Sequence, residues 1–211
     1  MANFDKIAKI HDFFLFQSFS SAVFKWCVPF LRDFLKNNYK VLDIGCATGI
    51  FFNTLKKENN SLELFGLDES GEMISRAKKK FEDINLIVGQ AEKLPFENDY
   101  FNLIVILGSF HYFQNQKEAF LECYRVLKNG GHIVITLPQC DNSWQKFRTN
   151  IIERNFYKIF PGDVKRNCQF VSFDDLLLLG KESKFYLIKT AVKSFEVGGI
   201  KTRLVIFEKY L

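Results

Sequence analysis

Little in this chain points to chemistry that depends on sulfur, metal or a membrane span. Its five cysteines (Cys27, Cys46, Cys123, Cys140 and Cys168) form no C-x-x-C pair and have no histidine at metal-ligand spacing. That pattern suggests neither a metal site nor a disulfide framework, and it fits a reducing cytoplasm. The first residues, "MANFDKIAKIHDFF", lack the basic-then-apolar layout of a secretory signal, and no apolar run is long enough to span a bilayer. A soluble, cytoplasmic protein is expected. Neither sign of charge dominates: 29 Lys and Arg stand against 24 Asp and Glu, a net +5 too mild to indicate nucleic acid by itself. Linkers, repeats and low-complexity tracts are also missing. What is present, 211 residues that are 47% hydrophobic and 25% charged, suits one domain with a full core. The 25 phenylalanines read mainly as that core, with some left over for an apolar substrate pocket.

Residues 4 to 27 have helical spacing, with Phe16, Phe19, Val23 and Trp26 recurring at steps of three and four. Pro29 is expected to interrupt the helix and start a short second one through Leu35. From residue 40 the period changes. "KVLDI", "LELFGLD", "NLIVG", "FNLIVIL" and "HIVITLP" read as strands, and "GIFFNTLKKE", "GEMISRAKKKF" and "QKEAFLECYRVLK" read as the helices between them. The "NGG" at 129 to 131 reads as the turn that stops the third of these helices. Strands alternating with helices imply a parallel, doubly wound sheet with right-handed crossovers. After Pro138, "NSWQKFRTNIIERNFYKIF" reads as an inserted amphipathic helix. "SFDDLLLL" reads as another, opened by a Ser172/Asp175 capping box. Two strands near 185 to 195 and 202 to 209, separated by Gly198-Gly199, read as an antiparallel edge pair.

In such a sheet the ligand lies outside the carboxyl ends of the strands, beside the first one. "DIGCATG" sits there. Gly45 and Gly49 let the main chain turn and approach a ligand closely. Asp43 would repel a pyrophosphate but attract a cation, and the G-x-G-x-x-G spacing of a dinucleotide site is absent. Asp68, ending the second strand, can accept hydrogen bonds from both hydroxyls of a ribose. A carboxylate ending an apolar strand is costly to bury without a partner, which favours ligand contact for both acids. Together they describe a nucleoside carrying positive charge, for which S-adenosylmethionine fits.

These residues resemble the class I S-adenosylmethionine-dependent methyltransferases of small-molecule type, over about the central half of the chain. "VLDIGCATG" is similar to the family's glycine-rich first motif, "LFGLDESGEMISRAKKKF" to its ribose segment, "VGQAEKLPFENDYFNLIVILGSFHYF" to its adenine and fourth-strand segment, and "FLECYRVLKNGGHIVIT" to its approach to the fifth strand. The resemblance implies a Rossmann-like, seven-stranded α/β sheet, mostly parallel with an antiparallel C-terminal edge hairpin. It also implies one domain: a helical cap at 1–38, a cofactor-binding core at 39–138, a helical insert at 139–183 and a strand pair at 184–211. Gly45, Ala47 and Gly49 would line the methionine part with Asp43 near its ammonium group. Asp68, with Glu69 beside it, would take the ribose, Met73 would pack on adenine, and Gln90 and Ala91 would meet the adenine edge. Leu107 would sit by the methionine moiety with the acceptor beyond. Three residues depart from the family pattern: Ala47 for the middle glycine, Gln90 for an Asp, and Asn102 for the Asp of "FD". The methyl of Ala47 is tolerable where φ is negative. "FDKIAKIHDFF" is similar to the opening of quinone and related methyltransferases, with His11 where they have Tyr, and implies a helix closing the acceptor pocket.

Methyl transfer from a sulfonium is an in-line displacement in which the protein's main work is alignment, with a general base needed only when the acceptor arrives protonated. His111, just past the fourth strand, and His11 are the candidate bases; a structural histidine is the plain alternative for each. Met73 at helical spacing is nearly as well explained as core, Glu92 as a solvated loop residue, and Cys46 as a small side chain in the loop rather than a reactive thiol. The expected activity is methylation of a small or lipid-like acceptor at O, N or C, releasing S-adenosylhomocysteine, with no metal. Alternatives are carboxyl methylation of an acyl group on an acidic carrier protein, docked by Lys146, Arg148, Arg154, Lys158, Lys165 and Arg166; a nucleic-acid modifier, disfavoured by the modest charge; and a binding protein that has lost its chemistry.

Overall fold

The computed structural model describes residues 14–139, 169–195 and 201–210, together with Phe147. Along the chain run α1 (Phe14–Leu31), β1 (Lys40–Ile44), α2 (Ile50–Glu58), β2 (Glu63–Asp68), α3 (Gly71–Lys80), β3 (Asn85–Val88), β4 (Phe101–Leu107), α4 (Gln116–Val126), β5 (Leu127–Pro138), α5 (Phe173–Glu182), β6 (Phe185–Ser194) and β7 (Lys201–Lys209). Single 3-10 turns lie at Arg32–Phe34 and Phe110–Tyr112. The strands form one seven-stranded sheet in the order β3-β2-β1-β4-β5-β7-β6. The first five pair in parallel, while β7 is antiparallel to both β5 and β6. The expected mostly parallel sheet with an antiparallel C-terminal hairpin is therefore observed.

Central strands buried on both faces need apolar residues at every position rather than alternate ones, and β1 and β4 supply them. Successive residues go to opposite cores. Leu42, Ile44, Ile104 and Ile135 face α4 and α5 through Phe120, Cys123 and Leu176. Val41, Leu103, Val105 and Val134 face the other side, against Val23, Cys27 and Leu31 of α1, Phe51 and Phe52 of α2 and Ile74 of α3. The result is three layers, helices on each side of the sheet. Many phenylalanines do go to these cores; Phe51, Phe52, Phe101, Phe110, Phe120 and Phe207 are among the largest fully buried side chains.

Local capping sets the helix starts. Ser70 Oγ accepts the Met73 N–H at 3.1 Å, Asn115 Oδ1 accepts the Glu118 N–H at 3.2 Å, and Ser172 Oγ accepts the Asp175 N–H at 3.1 Å. Ser172 also donates to the Asp175 carboxylate at 2.6 Å, so the expected Ser172/Asp175 pair forms. Lysines 78 to 80 fall in the last turn of α3 and are exposed, where they complement the helix dipole.

Two expectations are corrected. Pro29 does not interrupt the first helix, which continues to Leu31. Cys27 and Val28 before the proline and Leu31 beyond it are all buried. Burying Val28 and Leu31 contributes about 1.5–3 kcal/mol each, enough to offset the roughly 3 kcal/mol cost of a proline inside a helix. The "NGG" at 129 to 131 does not stop a helix either. The helix α4 already ends at Val126, and the three residues lie within β5 where its register against β4 shifts between the pairs Phe101/Leu127 and Leu103/His132. Gly130, with φ 69°, supplies the left-handed residue that such an irregularity needs. The expected helix start at residues 4 to 13, and the expected helix over 142–160 apart from Phe147, lie outside the described residues.

Candidate active site

The strand order reverses between β1 and β4, because β1 leads outward to β2 on one side while β4 opens the other half of the sheet. Crossovers on either side of that point diverge and leave a crevice at the carboxyl ends. Asp43, one residue before the end of β1, is 4% exposed and shares a face with Val41. Burial first, and the negative Asp68 second, push its carboxyl up from the usual carboxylate range to about 8. The same environment acts on Cys46: burial, then Asp43 and Asp68, hold its thiol well above its ordinary value, so a reactive thiolate is suppressed.

The loop after β1 folds back over the end of β2. The N–H groups of Gly45 and Cys46 both donate to the Leu67 carbonyl, at 2.7 and 3.1 Å, and Gly49 N–H donates to the Cys46 carbonyl at 2.9 Å. Gly45, Ala47 and Gly49 all have positive φ, at 76°, 49° and 78°. For Ala47 the condition of a negative φ is therefore not met. A non-glycine residue in that region carries a cost of about 1–2 kcal/mol, and the Ala47 N–H is held by donating to Asp68 Oδ2 at 2.9 Å. At Gly45 a Cβ would collide with the Ser109 side chain, and at Gly49 it would come within 2.9 Å of Phe52 and Phe81. These two glycines are therefore required by both conformation and space.

Asp68 is half-buried at the end of β2. Each of its carboxylate oxygens accepts a backbone N–H, Oδ2 from Ala47 and Oδ1 from Ser70, both at 2.9 Å. A carboxylate has about four acceptor positions, so it can accept from more than one donor at each oxygen. Glu69 beside it is exposed. Met73 is 2% exposed, so its side chain is committed to packing. Across the crevice Gln90 is exposed and Ala91 is buried. Leu107 is half-buried and packs against the face that carries Asp43.

Sequence reasoning overlooked Ser109. Its hydroxyl donates to the Ile44 carbonyl at 2.8 Å, tying the turn after β4 to the end of β1. The neighbouring Gly108, with φ 75°, was the available signal. Glu92 is a partly exposed loop residue with a structural task besides. Its Oε1 accepts the N–H groups of Gln114 at 2.7 Å and Asn115 at 3.0 Å, fixing the approach to α4. Asn102 lies at the opposite end of the sheet, where its Oδ1 accepts from the Lys40 N–H at 3.0 Å and from Lys128 Nζ at 3.3 Å. That departure from the family pattern does not touch the crevice. His111 is 4% exposed in the turn after β4, tilted against Tyr112 at 4.0 Å and stacked on Phe170 at 5.4 Å between ring centroids. His11 lies outside the described residues, as do Lys146, Arg148, Arg154, Lys158, Lys165 and Arg166.

The donor set fits a cationic nucleoside. Two acids meet at the end of β1 and β2, with burial and mutual repulsion raising the inner one, and an ammonium or sulfonium would relieve that repulsion. Known proteins agree. Residues 42–135 match the model of a methyltransferase-domain family. A demethylmenaquinone methyltransferase from Thermotoga maritima is 36% identical over 137 residues, covering 64% of this chain and 59% of that one. The ubiquinone/menaquinone biosynthesis C-methyltransferase UbiE from Campylobacter jejuni is 32% identical over 195 residues, covering 82% of this chain and 81% of that protein. Among solved structures, an S-adenosylmethionine-dependent methyltransferase from Thermotoga maritima superposes with a TM-score of 0.75 at 20% identity, covering 99% of this chain and 98% of that one, a likeness of fold. With a relative of this kind matched across most of both lengths, the chain belongs to the class I S-adenosylmethionine-dependent methyltransferases, an enzyme whose methyl donor is S-adenosylmethionine.

Proposed function

We propose that the chain transfers a methyl group to a ring carbon of a reduced, lipid-tailed quinone. The observation that carries this reading is the 32% identity, over four fifths of both chains, with an enzyme named for C-methylation in ubiquinone and menaquinone biosynthesis. The aromatic surroundings of His111, made by Tyr112 and Phe170, also suit a flat ring. Within this reading Asp43 faces the donor's ammonium group, Asp68 its ribose, and the first-turn N–H groups of α2 its carboxylate. Gln90 and Ala91 take the adenine edge, and Leu107 flanks the methionine part.

When bound, the donor supplies a methyl carbon activated by its sulfonium. Loss of the quinol O–H proton pushes electron density onto the ring carbon. As that carbon bonds to the methyl, the carbon–sulfur bond breaks with its electron pair going to sulfur, and the ring hydrogen leaves as a proton. His111 is the residue positioned past β4 to accept the quinol proton. The apolar end of the crevice around Leu107 favours a reaction in which charge is lost. Among the described residues Cys27, Cys46 and Cys123 are free and buried, which suits work in a reducing cytoplasm.

The test is an assay with methyl-labelled S-adenosylmethionine and a reduced 2-prenyl-1,4-naphthoquinone that lacks the ring methyl. The expected product carries label on a ring carbon. Label on oxygen alone, or none transferred while S-adenosylhomocysteine still binds, would sink the acceptor assignment.

A further inference from the structure

Thr136 lies near the end of β5 among Ile133, Val134, Ile135 and Leu137, and it is 1% exposed. Its backbone is fully engaged: it pairs with Leu107 on one side and Leu204 on the other, and its carbonyl accepts the Gly108 N–H at 3.2 Å. Its Oγ1 has no hydrogen-bond partner among the described residues. A buried hydroxyl left unpaired is unfavourable, and valine would fill the same space without that penalty. A stable strand would therefore be better served by valine here.

Position gives the hydroxyl a use. Side chains two apart share a face, so Thr136 projects to the side of Val134, the face on which Asp43 follows Val41 and Leu107 follows Val105. Along the carboxyl edge of that face the order is Asp68 on β2, Asp43 on β1, Leu107 on β4 and Thr136 on β5. Neighbouring strands are about 4.8 Å apart, which puts Thr136 roughly 10 Å from the strand of Asp43 on the side away from Asp68. The ribose and ammonium positions thus lie to one side of Leu107 and Thr136 to the other. The helix α1 packs on this same face.

We propose that Thr136 is a positioning residue whose hydroxyl hydrogen-bonds an oxygen of the methyl acceptor and so aims the accepting atom at the methyl group. The proposal rests on the quinol reading above, because it requires an acceptor with an oxygen beside the reacting carbon. Thr136 would then have to be a hydroxyl-bearing residue for function, at the expense of packing.

The test compares the parent with Thr136→Val and Thr136→Ser. Affinity for a 2-prenyl-1,4-naphthoquinone, followed by fluorescence quenching with S-adenosylhomocysteine present, needs no turnover. Thr136→Val is expected to weaken it about tenfold, to raise the KM for the quinol and to leave S-adenosylhomocysteine binding unchanged. It should also raise the Tm by about 2–4 °C, whereas a structural hydroxyl would give a fall. Thr136→Ser should restore affinity. Equal naphthoquinone binding by parent and Thr136→Val, or a lower Tm for that variant, overturns the assignment. A parent that binds the naphthoquinone, with the expected loss in Thr136→Val, but does not methylate the quinol would support the positioning role and sink only the quinol reaction; a parent that does not bind it overturns both.

Discussion

The two ends of the central strands are built on opposite principles. At the amino end polar groups meet complements. Lys209, 5% exposed, donates to Asp99 and to the Leu127 carbonyl, each at 2.7 Å. Arg125 donates to Glu122 and to the carbonyls of Leu94 and Phe96, and Asn102 joins the start of β1 to Lys128. At the carboxyl end like charges meet. Asp43 is buried near Asp68, three residues in the Gly45–Gly49 loop hold left-handed backbone, and the Thr136 hydroxyl has no partner among the described residues. Stability is concentrated at one end so that the other can carry groups whose complements belong to a ligand.

The contrast can be broken most sharply at Asp68. Replacing it with alanine removes the anchor of two backbone N–H groups together with the ribose acceptor, and the Kd for S-adenosylhomocysteine should rise about a hundredfold, roughly 3 kcal/mol. Calorimetric titration reads this directly, and unchanged affinity would mean that the crevice is not the donor site. Lys209→Met should do the reverse. It strands the Leu127 carbonyl and Asp99, so chemical denaturation should show a loss of about 2 kcal/mol, with donor affinity within twofold of the parent. A large affinity change there would dissolve the division between the two ends.

A further effect, graded with pH, is a dependence set by Asp43. Its folded value of about 8 lies above its ordinary 3.8, so the ligand-free protein gains stability from this group at low pH and loses it as pH rises from about 4 to about 8. A bound ammonium group favours the ionised form, so binding should release a proton. Affinity for S-adenosylhomocysteine should tighten by up to about tenfold per pH unit below pH 8 and flatten above it. Titrations in buffers of different ionisation enthalpy would count the proton, and Asp43→Asn should flatten the profile. A parent profile already flat from pH 6 to 8 would show that Asp43 does not face the cation.

What was legible in the sequence was local. The strands β1 and β4 are continuous apolar runs, and the cap Ser172 is read from its neighbour Asp175 three residues away. The acids Asp43 and Asp68 stand out because charge ending an apolar strand has few structural explanations. What failed depended on contacts distant in sequence. Pro29 is tolerated because Leu31 finds a core. The left-handed φ of Ala47 follows from an acceptor 21 residues away. Ser109 matters through Ile44, and Thr136 is distinguished only by the partner that its hydroxyl lacks among the described residues.

Asp68 has a consequence for how this site can vary. On the proposed reading the carboxylate that clasps the Ala47 and Ser70 amides also takes the ribose, so a change at 68 would alter recognition and scaffold together. Evolution has little freedom to retune donor affinity there. Adjustment has to enter at positions with a single duty, and two of the three departures from the family pattern, Ala47 and Gln90, border the donor crevice around this doubly employed residue.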